Sequence, residues 1–274
     1  MLPLMRLIGL TLSMLLASCT ELNQYHADVV SHSARLEKAT VAINDFILTT
    51  YSRIGDPNQP INVYIEGDGL AWVSIHQLSS DPTPKQAIGL ELAARDPSKN
   101  VAYLARPCQF NDFNRTPCDS AYWSNLRFSE RVIDAMNQSL DAIVKKTNHQ
   151  KVNLIGYSGG AAVAVLISQR RNDILSLKTV AGNLDHDYVN QYHHVDPMPE
   201  SLNAIDVAAH IKDIPQLHFI GTHDKIIPKE VASRFADKQS NSKCITVIQV
   251  DADHQSNWIE QWPSLLKTPF SCVR

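Results

Sequence analysis

The chain carries no excess of positive charge. Lys and Arg number 25 against 28 Asp and Glu, the formal net charge is −3, and charged residues make up only 19% of 274 positions. A nucleic-acid surface needs clustered cations, so this balance argues against a nucleic-acid partner. Long apolar runs are missing as well. The run Leu7–Leu16 has about ten residues, where a membrane-spanning helix needs about twenty. Five cysteines occur without a single Cys-x-x-Cys, and their spacing fits no zinc site. No internal repeat is visible. No metal or cofactor is therefore expected, and a composition that is 44% apolar describes a globular domain with one sizeable core.

What is present begins with the first nineteen residues. Arg6 precedes the apolar run, whose length suits the core of a signal peptide. The run leads into Leu16-Ala17-Ser18-Cys19, which resembles the lipobox of bacterial lipoproteins. That resemblance implies a signal peptide over 1–18, cleavage before Cys19 and lipidation of that residue. Thr20 in the following position favours the outer membrane, facing the periplasm. Four cysteines remain, and in an exported chain an even number suggests disulfides, although four permit three pairings. Cys108–Cys118 and Cys244–Cys272 are expected, because each pairing closes a loop without crossing the edge that carries the chemistry.

Residues 19–60 are mixed and polar and read as an anchor or linker segment, with a helix expected from His32 to Ile47 and a turn at Gly55–Pro60. From Ile61 onward short apolar runs alternate with amphipathic stretches. Ile61–Ile65, Val101–Leu104, Val152–Ile155, Leu177–Ala181, Gln216–Gly221 and Ile245–Val250 read as strands. Lys85–Arg95, Ser129–Lys146 and Ala161–Arg171 read as helices. Such alternation implies a mostly parallel sheet covered by helices on both faces, one domain over 61–274, with chemistry at the carboxyl ends of the strands.

The most informative stretch is Gly156-Tyr157-Ser158-Gly159-Gly160, between a buried strand and a small-residue helix. A turn that tight strains its apex and excludes side chains at its flanks, which is the physical content of Gly-x-Ser-x-Gly. A serine nucleophile needs a base, and the base needs an orienting acid. Asp224 follows the strand Gln216–Gly221, and His254 follows Ile245–Val250, giving the order serine, acid, histidine. Asp185 is a rival acid. His223 adjoins Asp224 on one loop and is poorly placed to bridge acid and serine, whereas His210 and His149 read as solvated or packing residues.

On those residues the chain resembles the α/β-hydrolases, and among them bacterial lipoprotein members, over roughly Ile61 to Trp262. The resemblance implies the α/β-hydrolase fold with a small cap insertion, Ser158 as nucleophile, His254 as general base and Asp224 as orienting acid. It also implies an oxyanion hole made by the backbone N–H groups of Gly159 and Asp68. Family members usually carry His-Gly where this chain has Glu66-Gly67, so the carboxylates of Glu66 and Asp68 bring negative charge near that hole. They must point away, pair with a cation such as Arg106, or bind a polar substrate group. The Asp185–Asp196 stretch is rich in His and Asp, yet fits no compact metal motif and lies where this fold inserts its cap.

The expected activity is hydrolysis of carboxylic esters, on a small-molecule or lipid-like acyl substrate, through an acyl-enzyme. A thioesterase or peptidase would use the same three residues. An envelope lipoprotein that keeps the fold only for binding is the alternative of another class.

Overall fold

The computed structural model describes residues 22–74, 76–111, 118–148, 151–240, 242–270 and 272. Cys19, the signal segment, Asp112, Asn114, Arg115 and His149 lie outside them. The frame is an eight-stranded sheet in the order β1-β2-β6-β3-β7-β8-β9-β10. β3 (Ile61–Ile65), β6 (Asn100–Leu104), β7 (Val152–Tyr157), β8 (Ile174–Val180), β9 (Gln216–Gly221) and β10 (Ile245–Val250) run parallel to one another. β1 (Glu37–Ile43) and β2 (Phe46–Ile54) form an antiparallel hairpin that adds to the β6 edge. β4 (Trp72–Ser74) and β5 (Gln77–Leu78) make a separate two-stranded ribbon.

Strand alternation sends side chains into two cores. Ile61, Val63 and Ile65 of β3 face the helices α3 (Glu130–Val144) and α4 (Gly159–Ser168). Tyr64 faces the opposite core, shared by α2 (Ile88–Ala94) and α7 (Trp258–Leu265). α3 buries Val132, Ile133, Met136, Leu140, Ile143 and Val144, the stripe that its 3.6-residue period predicts. α4 is buried at every position, so the apolar face expected from its spacing has no polar counterpart.

The structure differs from expectation at the amino-terminal end. A helix α1 covers 22–33, and the helix expected from His32 to Ile47 is replaced by the β1–β2 hairpin. Asn44, with φ 52°, and Asp45 make its tight turn. The sheet therefore begins at Glu37, ahead of the domain start expected at Ile61. Among the described residues no helix is long and apolar enough to cross a membrane.

Candidate active site

The site is built on the junction of β7 and α4. Ser158 sits between them at φ 50° and ψ −120°, a left-handed conformation that a residue with a Cβ adopts only when its surroundings impose it. Its N–H donates to the Val180 carbonyl at 2.9 Å, and its own carbonyl accepts from Ala161 and Asn183, both at 3.0 Å. The flanking glycines are required by contact. A Cβ on Gly156 would lie 2.4 Å from the Ala161 Cα, and one on Gly160 would lie 2.3 Å from the Ile65 carbonyl oxygen. Chain strain and close packing together lift the Ser158 hydroxyl clear of the sheet.

Three loops at the same sheet edge supply its neighbours. The Ser158 hydroxyl lies 3.0 Å from His254 Nε2, and His254 Nδ1 lies 2.9 Å from Asp224 Oδ2. A carboxylate accepts only, so Nδ1 carries the hydrogen and Nε2 is left to accept from the serine. The other Asp224 oxygen accepts the N–H groups of Ile226 at 2.8 Å and Ile227 at 2.9 Å, which fixes the acid from its own loop. Its side chain is buried at 2% exposure, against 13% for His254. The His254 carbonyl accepts from the Tyr157 hydroxyl at 2.9 Å and from Trp258 Nε1 at 3.2 Å, so the histidine loop is tied down by two aromatic side chains.

The rival residues are engaged elsewhere. Asp185 caps α5 (His186–His193) through the Tyr188 N–H and accepts from Asn203 and from Arg234 Nε, each at 3.0 Å. His223 is exposed and pairs with Asp251, and His210 is exposed. α5 occupies the expected cap position after β8, and His193 Nε2 meets the Ile226 carbonyl at 2.7 Å, linking cap to acid loop.

The two carboxylates after β3 behave differently. Glu66 is fully buried and points away from the serine, beneath the first turn of α2. It accepts N–H groups from Gly67, Gly89 and Leu90 and the Tyr103 hydroxyl at 3.1 Å. Burial pushes its carboxyl up to about 7, with those hydrogen bonds opposing the shift. Asp68 instead lies against the elbow: a Cβ on Gly159 would fall 2.0 Å from Asp68 Oδ1. Arg106 Nη1 donates to that oxygen at 3.1 Å, and Arg127 Nε stands 3.4 Å from the other.

Gln109 Nε2 donates to the Gly67 carbonyl at 2.9 Å while its Oε1 accepts the Arg106 N–H, so one amide fastens both loops. Gly67 itself packs on the serine, a Cβ there lying 3.2 Å from the Ser158 Cβ. Arg106 was legible as a cation near Asp68. Arg127 and Gln109 carry no sequence signal, since the Asp68 carboxylate and the Gly67 carbonyl that they meet lie tens of residues away in another loop. Both disulfides join the expected partners, Cys108 to Cys118 and Cys244 to Cys272.

Sheet order, elbow and loop placement define an α/β-hydrolase. Residues 99–255 match the family described as Serine hydrolase (FSH1), more than half of the chain, and the protein belongs to that family. No curated protein matches the chain in sequence. Among solved structures, the Pyrococcus furiosus esterase Pf2001 superposes with a TM-score of 0.58 at 15% identity, covering 84% of this chain and 90% of that one. Est1E from Butyrivibrio proteoclasticus gives 0.54 at 12% identity, over 84% and 96%. A bacterial membrane phospholipase A, described as a virulence factor, gives 0.58 at 13% identity, over 96% and 92%. At these identities the likeness is one of fold.

Proposed function

We propose that this serine hydrolase cleaves carboxylic esters through an acyl-enzyme on Ser158. The observation that carries the reading is the unbroken hydrogen-bonded line from Ser158 through His254 to Asp224, with its serine held on a strained turn. In the proposed reaction His254 Nε2 takes the hydroxyl proton as Ser158 Oγ attacks the ester carbonyl. The N–H groups of Gly159 and Asp68 receive the oxyanion. The imidazolium, oriented by Asp224, gives its proton to the leaving alcohol. Water, activated by the same histidine, then releases the acid.

Exposed Trp72 and Val73 follow the oxyanion loop, Tyr192 and Val195 belong to the cap, and Ile226 adjoins Asp224. Exposed apolar side chains on β4, on α5 and just beyond it, and on the acid loop suit an apolar acyl chain, small or lipid-like. The likeness to esterases and a phospholipase supports the same class. For location we propose export and lipid anchoring through Cys19, at the outer membrane facing the periplasm, on the strength of the lipobox resemblance alone.

The test is turnover of matched p-nitrophenyl esters, thioesters and anilides by the wild type and by Ser158→Ala. Ester hydrolysis that vanishes in the variant is expected. Faster thioester or anilide cleavage would reassign the leaving group. Absence of turnover on all three would favour the binding-protein alternative, which the Asp68 carboxylate beside the elbow keeps specific.

A further inference from the structure

We infer that Arg106 is a charge-balancing and positioning residue of the oxyanion site, there to neutralise the Asp68 carboxylate packed against Gly159. The inference rests on the proposed hydrolytic reading and adds to it a role for three side chains outside the serine–histidine–acid line.

The observation is a conflict that the structure resolves. Asp68 Oδ1 would lie 2.0 Å from a Gly159 Cβ and its Cγ 2.6 Å, so this carboxylate fills the space that any other residue at 159 would need. That accounts for glycine at the second x of Gly-x-Ser-x-Gly, directly after the serine. It also sets a negative charge against the residue whose N–H is proposed to hold a developing oxyanion, and an unbalanced carboxylate there would oppose the reaction.

Two guanidinium groups answer one carboxylate. Arg106 donates to Oδ1 and Arg127 approaches Oδ2, so the three side chains carry a net charge of about +1 beside the elbow. Arg106 is the deeper of the two, with 4% of its side chain exposed. It lies 5.2 Å from the centre of the Phe128 ring and donates its second terminal nitrogen to the Arg127 carbonyl. Burial pulls its pKa down and Asp68 pushes it back up.

Arg106 Nε finds no hydrogen-bond partner among the described residues. A buried ion pair with an unmet donor is a poor way to gain stability, since apolar side chains of similar size usually do as well or better. The arrangement makes physical sense as an electrostatic one. Arg106 turns a carboxylate that would repel the oxyanion into part of a net-positive cluster. Its fork, with the Gln109 bond to the Gly67 carbonyl, also fixes the peptide between Gly67 and Asp68.

Charge balance predicts a rescue that a scaffold role does not. The experiment measures kcat and KM for a p-nitrophenyl ester, and the affinity for a boronic acid that forms a tetrahedral adduct on serine. The variants are Arg106→Met, Asp68→Asn and the double variant. Arg106→Met should lower kcat by about 100-fold with KM changed less than about threefold, the loss expected when an oxyanion site is spoiled. Boronic acid affinity should fall in parallel. Asp68→Asn alone should lose less than about tenfold, and the double variant should recover at least about tenfold over Arg106→Met.

A double variant no better than Arg106→Met, or Arg106→Met with wild-type kcat, would overturn the inference. If Arg106→Met fails to fold, Arg106→Lys keeps the charge and should retain kcat to within about tenfold, and a loss near 100-fold in that folded variant would overturn it too. Lack of turnover in the wild type would remove the hydrolytic reading itself and this inference with it, whereas wild-type turnover with indifferent variants would remove only the inference.

Discussion

Glu66 holds its carboxyl in a place where ionisation is costly. Its burial lifts the pKa from 4.5 to about 7, while in the unfolded chain it returns to the ordinary value. Between those values the folded protein holds a proton that the unfolded chain has released, so folding stability falls as pH rises through that window. The shift corresponds to a few kcal/mol, about 3 as an order of magnitude. Stability from this group is complete below pH 4.5 and gone above pH 7. Glu66→Gln keeps an acceptor for the Gly67 and Gly89 N–H groups without titrating. Urea denaturation of both proteins between pH 4.5 and 8 should show the wild type losing stability relative to the variant as pH rises. A constant difference across that range would contradict the placement of Glu66.

The site residues most legible in the sequence are those whose position follows from local rules. Ser158, Asp224 and His254 each directly follow, or lie within four residues of, a strand end, and the strands show as short apolar runs. Glu66 and Asp68 were visible as charges near the hole but not as opposites, one buried under α2 and one clamped by arginines. Only tertiary contacts with Gly89, Tyr103, Arg106 and Arg127 separate them.

At the scale of elements, the segment after β6 shows a buried loop, with Ala105, Cys108 and Phe110 packed in apolar clusters, held further by polar and covalent contacts. Arg106 and Gln109 both hold the loop after β3, and Cys108 between them has φ 72° and is bonded to Cys118. Closing a ring of that size contributes about 2–3 kcal/mol in the chain-entropy account. Cys108→Ser with Cys118→Ser should therefore lower kcat, by about tenfold, because a displacement of about 1 Å in a supporting loop is enough to do so. Cys244→Ser with Cys272→Ser should leave kcat near wild type and lower the melting temperature by several degrees, since that bond ties β10 to the chain end far from Ser158. Kinetics and thermal melts of the two double variants check both outcomes. Equal effects on kcat would contradict the first bracket's special role.

The β1–β2 hairpin was the element least legible in advance. Leu36, Glu37, Lys38 and Ala39 are good helix formers and draw a helical reading across His32–Ile47. The countersignals are Thr40, Val41 and Ile43, followed by a two-residue Asn44-Asp45 turn and the apolar Phe46–Leu48. Their pairing with β6 settles the outcome through contacts some fifty residues away, from Thr50 to Leu104. β10, in contrast, was delimited correctly from sequence, because its apolar run ends at Asp251 and its start follows a polar loop.

For the whole molecule, parallel strands carry Ser158, Asp224, His254 and the loop after β3 to one edge, so the proposed chemistry depends on sheet order more than on any single loop. The proposed anchor at Cys19 lies outside the described residues, and its removal is expected to leave turnover unchanged. Cys19→Ser should abolish acyl mass and move the protein from the membrane fraction to the soluble one, with ester turnover per molecule unchanged. Wild-type protein recovered soluble and without acyl mass would contradict the proposed anchoring.

The central claim is that Ser158 is a nucleophile activated by His254. Covalent labelling by a fluorophosphonate, followed by peptide mass mapping, tests it most directly. The account predicts one adduct on the peptide bearing Ser158, absent in Ser158→Ala and strongly slowed in His254→Ala, with the melting temperature of Ser158→Ala close to wild type. A folded protein that takes no label, or takes it on another residue, would contradict the account.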